Sequence, residues 1–443
     1  MIKRIFLAII MLSSVKAFAQ DSTSLLNEVV ITANKYPAKS SATGKVIKLI
    51  TREQLEKSGG KDLSQVLMEQ AGIIISGANS NPGKDKSIYM RGAKVDYTLI
   101  TIDGVPVYDP SGVGSNFDIR LLSVDQVDHV EVLMGSQSTL YGSDAMAGVI
   151  NIITKKADAQ KAVVSGNISY GSNDMFRSSG SMSFRVRKWD YQIQIAGLRT
   201  AGIDEAVKNT SIRELRDRDA FDQFNLNQTL SWQPNIKTKL TFYHRNASFN
   251  QSYDQGAFID ELDLFSTNKN TQAGFRYEWK PGKVQWFLNY NYHENRRRYV
   301  DDSTESRNGY DIYSKGVYNS KEHFAELYSM VPVGKKIRLT LGTDYRQSNS
   351  DQYYLSISSF GPFENKLGSD SLKQNQLALY GSAVMQIDSS FFVEAGTRWN
   401  KHSVFGSNQV FSISASKFIC ANWKLFANYS QAYKTPSLYQ LFS

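Results

Sequence analysis

Cysteine is almost missing from this 443-residue chain: Cys420 is the single one. No intramolecular disulfide can form, so the staples that hold many small exported domains together are excluded. Cys420 itself is expected in a turn, without a function. Enzyme signatures are lacking as well. There is no G-x-S-x-G, no phosphate-binding loop and no dinucleotide fingerprint. The five histidines, His129, His244, His293, His323 and His402, are scattered without the spacing of zinc ligands. The chain therefore reads as a non-enzyme that requires no cofactor. A net charge of +9 is modest for this length, and with no basic tail it gives no reason to invoke nucleic acid. Beyond residue 19, no apolar run approaches the ~20 residues of a membrane-crossing helix.

What is present begins with a leader. Lys3 and Arg4 precede a short apolar stretch, Ile5 to Leu12, and Ala17-Phe18-Ala19 fits a cleavage site. Residues 1–19 read as a signal peptide, with Gln20 as the mature N-terminus; the apolar stretch is too short for an anchor. The protein is expected to leave the cytoplasm. Aromatic residues make up 12% of the chain, with 24 Tyr and 23 Phe, while the mean hydropathy is slightly negative. A soluble protein can show both. So can a membrane barrel, where only alternate residues meet lipid and aromatic girdles mark both interfaces.

Two regions follow different rules. Residues 20–158 mix helix and strand. Thr51 with Gln54 three positions on is a capping-box pattern. Asp62 to Gln70 reads as a second helix, with Leu63, Val66 and Leu67 on one face and Gly72 as its stop. Short strands follow at Ile73–Ile75, Ser87–Met90, Thr98–Ile102, Val127–Leu133 and Val149–Thr154, with Asp103-Gly104 as a tight turn.

From about residue 160 the chain alternates. Trp286, Leu288, Tyr290 and Tyr292 point one way, and Phe287, Asn289, Asn291 and His293 the other. Phe224, Leu226, Leu230 and Trp232 alternate with Asn225, Asn227, Thr229 and Ser231; Ile337, Leu339 and Leu341 alternate with Arg338, Thr340 and Gly342. A period of two assigns each set to one sheet face. One face is apolar and the other polar over ~10 residues, the length of a tilted membrane strand. Short turns at 188–190, 234–236, 281–283, 333–336, 388–390 and 419–422 alternate with longer polar loops near 201–220, 251–268, 301–320 and 350–372. That is the arrangement of an outer-membrane barrel with its long loops outside. A soluble sandwich or propeller would need an apolar inner face; the polar face here suits a wet lumen.

The fold class is thus an α+β domain followed by a transmembrane antiparallel β-barrel. Roughly thirteen strands are counted, where single-chain bacterial barrels use even numbers and plugged ones about 22. An open sheet edge in a bilayer leaves N–H and C=O groups unpaired. The chain is therefore expected to be a C-terminally truncated piece, lacking about nine strands.

Four segments carry a resemblance. They are Glu28-Val29-Val30-Ile31-Thr32-Ala33; Ser87-Ile88-Tyr89-Met90-Arg91-Gly92; Leu99-Ile100-Thr101-Ile102-Asp103-Gly104-Val105-Pro106; and Tyr141 to Thr154, YGSDAMAGVINIIT. In this order they resemble the plug of TonB-dependent outer-membrane receptors, most strongly over 27–156 and more weakly through the barrel to Ala432-Tyr433-Lys434-Thr435-Pro436. Within the family, Tyr141-Gly142-Ser143-Asp144-Ala145 and Gly112-Val113-Gly114-Ser115 are similar to the cobalamin receptors, with siderophore receptors as the alternative. The chain departs from the family at Met134-Gly135-Ser136, where many members have Arg-Gly-Pro. The second plug arginine that tethers plug to wall is absent, and Arg91 remains as the first.

The resemblance implies a division into signal peptide (1–19), TonB-box segment (20–40), plug (41–158) and partial barrel (159–443). It implies active import of a large scarce nutrient, cobalamin or an iron–siderophore, by a monomeric barrel in the outer membrane of a Gram-negative bacterium. A passive porin or a non-transporting surface-binding protein is the reading from another class. The implied partner is a TonB energy-coupling protein with its proton-driven inner-membrane motor, gripping Glu28, Val29, Val30, Ile31, Thr32 and Ala33. This run is rich in β-branched residues, lies near a terminus, and suits strand addition to a partner's sheet edge; an ordinary first plug strand is the other reading. Arg91, Gly92, Asp103, Gly104, Tyr141, Gly142, Asp144 and Gly148 form the plug's structural motif. The plug apices offer ligand contacts at Ser76, Asn79, Ser80, Asn81, Tyr108, Asp109, Ser111, Ser115 and Asn116, polar residues on loops over a rigid scaffold, or else plain solvated turns. Asp204, Asp217, Asp219 and Asp222 could hold calcium, which takes six to eight oxygens; a solvated charge run is the alternative, since Arg213, Arg216 and Arg218 lie among them. Outer-membrane lipid surrounds such a barrel, and Arg296-Arg297-Arg298 near the outer rim could meet lipopolysaccharide phosphates or be a solvated loop base.

Overall fold

The computed structural model describes residues 29–30, 32–39, 43–157, 162–206, 217–254, 261–302, 311–420 and 423–442. The expected signal peptide, Glu28 and Ile31 lie outside them. Two short strands come first, β1 (Val29–Val30) and β2 (Ala38–Lys39), paired with each other. The region that follows contains β3 (Val46–Ile50), β4 (Ile73–Ser76), β5 (Ser87–Met90), β6 (Thr98–Ile102), β7 (Val105–Val107), β8 (Val127–Met134) and β9 (Gly148–Thr154). Five of these form a sheet in the order β3-β8-β9-β6-β7, with β6 and β9 parallel; β4 and β5 form a separate hairpin.

The helices start where side chains can satisfy their free N–H groups. In α1 (Arg52–Lys57) the N–H of Gln54 donates to Thr51 Oγ1 at 3.3 Å, and in α2 (Leu63–Met68) the N–H of Gln65 donates to Asp62 Oδ1 at 2.9 Å. Each glutamine side chain accepts from its cap's N–H at 2.9 Å. Asp103 and Gly104 have φ of 52° and 81°, the backbone of a two-residue hairpin turn.

All five residues of β6 and six of the seven in β9 are buried, as expected of a sheet covered on both faces. Ile100, Ile102, Val130, Val132, Ile150 and Ile152 pack with Leu63, Val66 and Leu67 of α2 and with Phe221 and Phe249 of the wall. Leu99, Leu133 and Val149 pack against the wall's Phe287, Tyr328, Met330 and Tyr380. At Gly148 a Cβ would stand 2.3 Å from the Leu133 carbonyl oxygen. Only glycine lets β8 and β9 close here. One further helical turn, α3 (Ser138–Tyr141), ends the plug's second face.

The wall is a 14-stranded antiparallel sheet. Its strands are β10 (Val163–Gly171), β11 (Met175–Val186), β12 (Trp189–Thr200), β13 (Phe221–Asn235), β14 (Thr238–Ser252), β15 (Leu264–Trp279), β16 (Gln285–Asp301), β17 (Asp311–Val333), β18 (Ile337–Ser358), β19 (Gly361–Leu367), β20 (Lys373–Gln386), β21 (Phe391–His402), β22 (Gly406–Cys420) and β23 (Trp423–Ser430). A last helical turn, α4 (Leu438–Phe442), follows. Each strand pairs with the next, except that β19 folds back on β18 alone and β18 continues to β20. Thirteen strands therefore run in succession, with β10 and β23 as the two edges.

The loop expected near 350–372 is largely strand. β17 and β18 reach 23 and 22 residues, beyond the ~10 that cross a bilayer, so their ladder continues above the outer rim. The short–long alternation of connections also has exceptions, because the outer links at 172–174 and 403–405 are short. Cys420 is exposed and ends β22 instead of sitting in a turn. At the inner rim Trp189 stacks on Trp232 with centroids 5.9 Å apart, and Trp279 stands opposite Trp286, forming an interfacial girdle. The polar inner face is not open to water at the level of the plug: Asn289, Asn291 and His293 are each about 1% exposed.

Candidate functional site

Of the six residues expected to couple to a partner, Val29 and Val30 form β1, while Thr32 and Ala33 are buried. The sequence suggests a loosely held run; from Thr32 onward the structure fastens it. The Thr32 N–H donates to Glu131 Oε2 at 2.7 Å, and its hydroxyl bonds the same carboxylate. Asn151 Nδ2 donates to Thr32 Oγ1 at 2.8 Å, and the Tyr141 hydroxyl donates to the Thr32 carbonyl at 2.8 Å. Glu131 lies on β8, Asn151 on β9 and Tyr141 at the end of α3. Polar groups placed in apolar strands need partners, and Thr32 supplies one to Glu131 and one to Asn151.

Two lysines then tie the segment to the wall. Lys35 pairs with Glu326 of β17, donates to the Tyr380 hydroxyl at 3.2 Å, and has the rings of Tyr141, Tyr328 and Tyr380 within 4.6–5.5 Å. Such a cage holds a cation by its ring quadrupoles. Lys45 donates to the Ala33 carbonyl at 2.7 Å and to Glu394 of β21 at 2.6 Å. Arg91 takes no part. It is exposed, its N–H donates to the Gly72 carbonyl at 2.8 Å, and it makes no ion pair among the described residues. Lysines of the coupling segment and the start of the plug do the tethering that the family resemblance assigns to plug arginines.

His129 extends the grip on Thr32. Its Nδ1 lies 2.7 Å from Asp128 and its Nε2 3.4 Å from Glu131. Burial disfavours the imidazolium, but the hydrogen bonds and charge of the two carboxylates outweigh it and raise the pKa from 6.5 to about 9.

The rest of the motif fixes turns and seams. Asp103 accepts from the Thr154 N–H at 3.0 Å and pairs with Arg245 of β14; the Gly104 N–H donates to Asn151 Oδ1 at 2.9 Å. Gly92 follows Arg91 in the turn after β5. Gly142 leaves α3 beside Arg398, which is bound to Asp344 at 2.8 Å. Asp144 pairs with Lys434 and stands 3.9 Å from Arg346.

The apices divide. Ser76, Asn79 and Ser80 are exposed, and Ser80 bonds Glu205 of the first outer loop. Asn81 is buried and donates to the Asp219 carbonyl at 2.6 Å. Tyr108 is buried under Arg346, 3.9 Å from the ring centroid, and accepts from it at 2.7 Å. Asp109 pairs with Arg297 at 2.8 Å and accepts from Ser111 and Ser320. Ser115 and Asn116 are half-buried. Tyr108, Asp109 and Ser111 thus fasten the second apex to the wall. The basic triplet separates accordingly: Arg297 faces the plug, while Arg296 and Arg298 are exposed.

In the first outer loop the Glu205 N–H donates to Asp219 at 3.1 Å and the Ala206 N–H to Asp204 at 3.0 Å. Burial, then the charge of Asp254, raises Asp219 from 3.8 to about 7. Asp217 adds to this, and Asp222 lies apart, 3.5 Å from Arg199. Arg213 and Arg216 lie outside the described residues. Among the described residues no group of three or more His, Cys, Asp or Glu is arranged to hold a metal ion.

Comparison with known proteins decides the family. Residues 39–149 match the TonB-dependent receptor plug domain, and residues 166–443 match the TonB dependent receptor-like β-barrel. The chain belongs to the TonB-dependent receptors. Members of this family are outer-membrane transport receptors, not enzymes. The fold is similar to the siderophore receptor PirA from Acinetobacter baumannii (19% identity, TM-score 0.71, 89% of this chain and 62% of that one). It is similar also to the ferric yersiniabactin uptake receptor FyuA from Yersinia pestis (16%, 0.69, 89% and 66%). A third is a mutant of the ferric enterobactin receptor PfeA from Pseudomonas aeruginosa in complex with enterobactin (21%, 0.68, 89% and 63%). The chain thus spans less than two thirds of the length of these receptors.

Sequence reasoning singled out residues 28–33 and the plug motif, but not Glu131, Lys35, Glu326 and Tyr380, which hold that segment in place. One signal was available. Glu131 is an acid inside the apolar run Val127–Met134, and such a group demands a buried partner.

Proposed function

We propose that the protein imports an iron–siderophore type of chelate across the outer membrane, drawing energy from a TonB-type partner. The observation that carries this reading is the anchoring of Thr32 at once to β8, β9 and α3. A pull on Val29–Val30 would reach the centre of the plug sheet through Thr32. The grip itself would be strand addition, which uses main-chain hydrogen bonds and demands little of the side chains. It requires β1 to leave β2, a ladder of two residue pairs. Ligand captured outside would shift the population in which the segment is free.

The siderophore class is favoured by the receptors of similar fold. Cobalamin is a second reading, favoured by Tyr141–Ala145 and Gly112–Ser115. Calcium ordering of the first long outer loop is a further proposal that would require Asp204, Asp217 and Asp219 to draw together from the arrangement seen here; calorimetric titration of the intact receptor checks it, and no heat would end it. The test of function is uptake by cells making the intact receptor, with ferric enterobactin and cobalamin as parallel probes. Uptake of the iron chelate that stops when the proton gradient is dissipated is the expected result. Uptake indifferent to the gradient would indicate a passive pore. Capture of either probe without uptake would indicate a surface-binding protein.

A further inference from the structure

A line of cavities follows one side of the plug from the outer rim to the inner rim. The uppermost, about 240 Å³, lies between Asn79–Pro82 of the first apex and Thr200 and Gly202 of the outer rim. The next, about 30 Å³, shares Asp62, Pro82, Arg177 and Leu198 with it. A third of about 30 Å³ shares Leu122 and Ser123 with the second. The lowest, about 210 Å³, shares Ile102, Thr154 and Arg245 with the third and opens beside the inner turns of β11–β15. Two larger cavities and two small ones thus follow one another along the seam between plug and wall, each sharing lining residues with the next.

Most bonds across the narrow part are neutral; on the wall side the exceptions are Arg177, which donates to the Lys61 carbonyl at 3.1 Å, and Arg245, which pairs with Asp103 where the third cavity meets the lowest. Gln223 donates to the Arg120 and Leu122 carbonyls, and Gln126 donates to the Gln194 and Asn225 carbonyls at 3.3 and 3.4 Å. Arg120 closes the upper constriction. Its charge is matched inside the plug, by Asp118 and Asp85 at 2.7 Å each, and its wall partner is the amide of Gln251 at 2.6 Å. Separation at this upper constriction would leave the Arg120 ion pairs intact within the plug.

The lower chamber is basic. Six basic side chains face three acidic ones. Arg185 is matched by Asp190 and Arg245 by Asp103, while Lys155, Lys156 and Lys239 have no carboxylate within ion-pair distance among the described residues. A cleft of one sign between low-dielectric walls concentrates ions of the other.

We infer that this seam is the route by which cargo leaves the outer chamber, and that the lower chamber is a transit site for an anionic, oxygen-rich chelate, attracted by Lys155, Lys156 and Lys239. The inference rests on the import reading and gives it a charge class. Catecholate and carboxylate chelates of iron fit; a neutral cargo gains nothing from these lysines.

The test uses the intact receptor with Cys420→Ser and a single thiol placed in the chamber as Thr229→Cys, with Thr241→Cys as the second position should the first fail to fold. Modification rates are compared for a negatively and a positively charged methanethiosulfonate reagent of similar size. The anionic reagent should react at least about tenfold faster, and the preference should vanish in Lys155→Gln/Lys156→Gln/Lys239→Gln. Equal rates with the lysines present would overturn the site. The adduct should also block uptake of ferric enterobactin while leaving its capture intact; full uptake past a labelled chamber would overturn the route. If the unlabelled receptor takes up no ferric enterobactin at all, it is the import reading for that chelate that fails, and the rate ratio still decides the chamber.

Discussion

The plug meets the wall in two ways. Facing β16–β21 it is fastened by charge: Lys35 to Glu326, Lys45 to Glu394, Asp109 to Arg297, and Asp144 close to Arg346. Facing β11–β13, no ion pair among the described residues joins plug to wall strand, and glutamine amides and an arginine on a backbone carbonyl make the crossing. A neutral hydrogen bond contributes about 0.5–1.5 kcal/mol net, whereas removing one partner of a buried ion pair costs about 3–5 kcal/mol. Under the proposed import the charged side would act as the hinge, holding the 28–33 segment, and the neutral side as the opening, with the Arg245–Asp103 pair of β14 between them.

The largest effect is expected from Glu326→Ala, which leaves Lys35 as an uncompensated buried charge. Chemical unfolding of the intact receptor should show a loss of about 3–5 kcal/mol, and a spin label at Val30 should become more mobile. A loss no larger than that of a neutral bond would remove the distinction between the two sides. Next comes Gln223→Ala on the opening side, with an expected loss of about 1 kcal/mol and no change in the label at Val30. A mobile label in this variant would mean that the two sides are not separate.

The smallest effect sharpens the account of the Thr32 grip. His129 has its pKa raised from 6.5 to about 9. A group raised in the folded state stabilises fully below its unfolded value and loses that contribution as pH rises through its folded value. Stability should therefore decline between about pH 7 and 10, and His129→Gln should flatten that decline. Identical profiles in the two proteins would contradict it.

The fold was largely readable because both regions obey simple periods. Continuous apolar runs such as Val149–Thr154 announce a doubly covered sheet, and Trp286 to His293 announces a wall with unlike faces. The inner face was harder. Asn289, Asn291 and His293 fit a wet lumen as well as a packed one, and only the plug's position shows that they are covered. The outer hairpin of β18 and β19 was hidden because its polar residues resemble a loop, while cross-strand pairing keeps it extended. Of the site, residues 28–33 stand out in the sequence as a motif. Their partners do not, since Glu131 lies 99 residues from Thr32 and Glu326 lies 291 from Lys35. Contacts over such distances are set by topology, not by local pattern.

Force is expected to enter at Val29–Val30 and to reach the plug through Thr32. Val30→Pro removes a backbone donor and forbids strand addition at that residue without touching the outer face. Capture and uptake of ferric enterobactin should be measured side by side in the intact receptor and this variant. Unchanged capture with uptake abolished is the expected result; uptake that survives the proline would contradict the account.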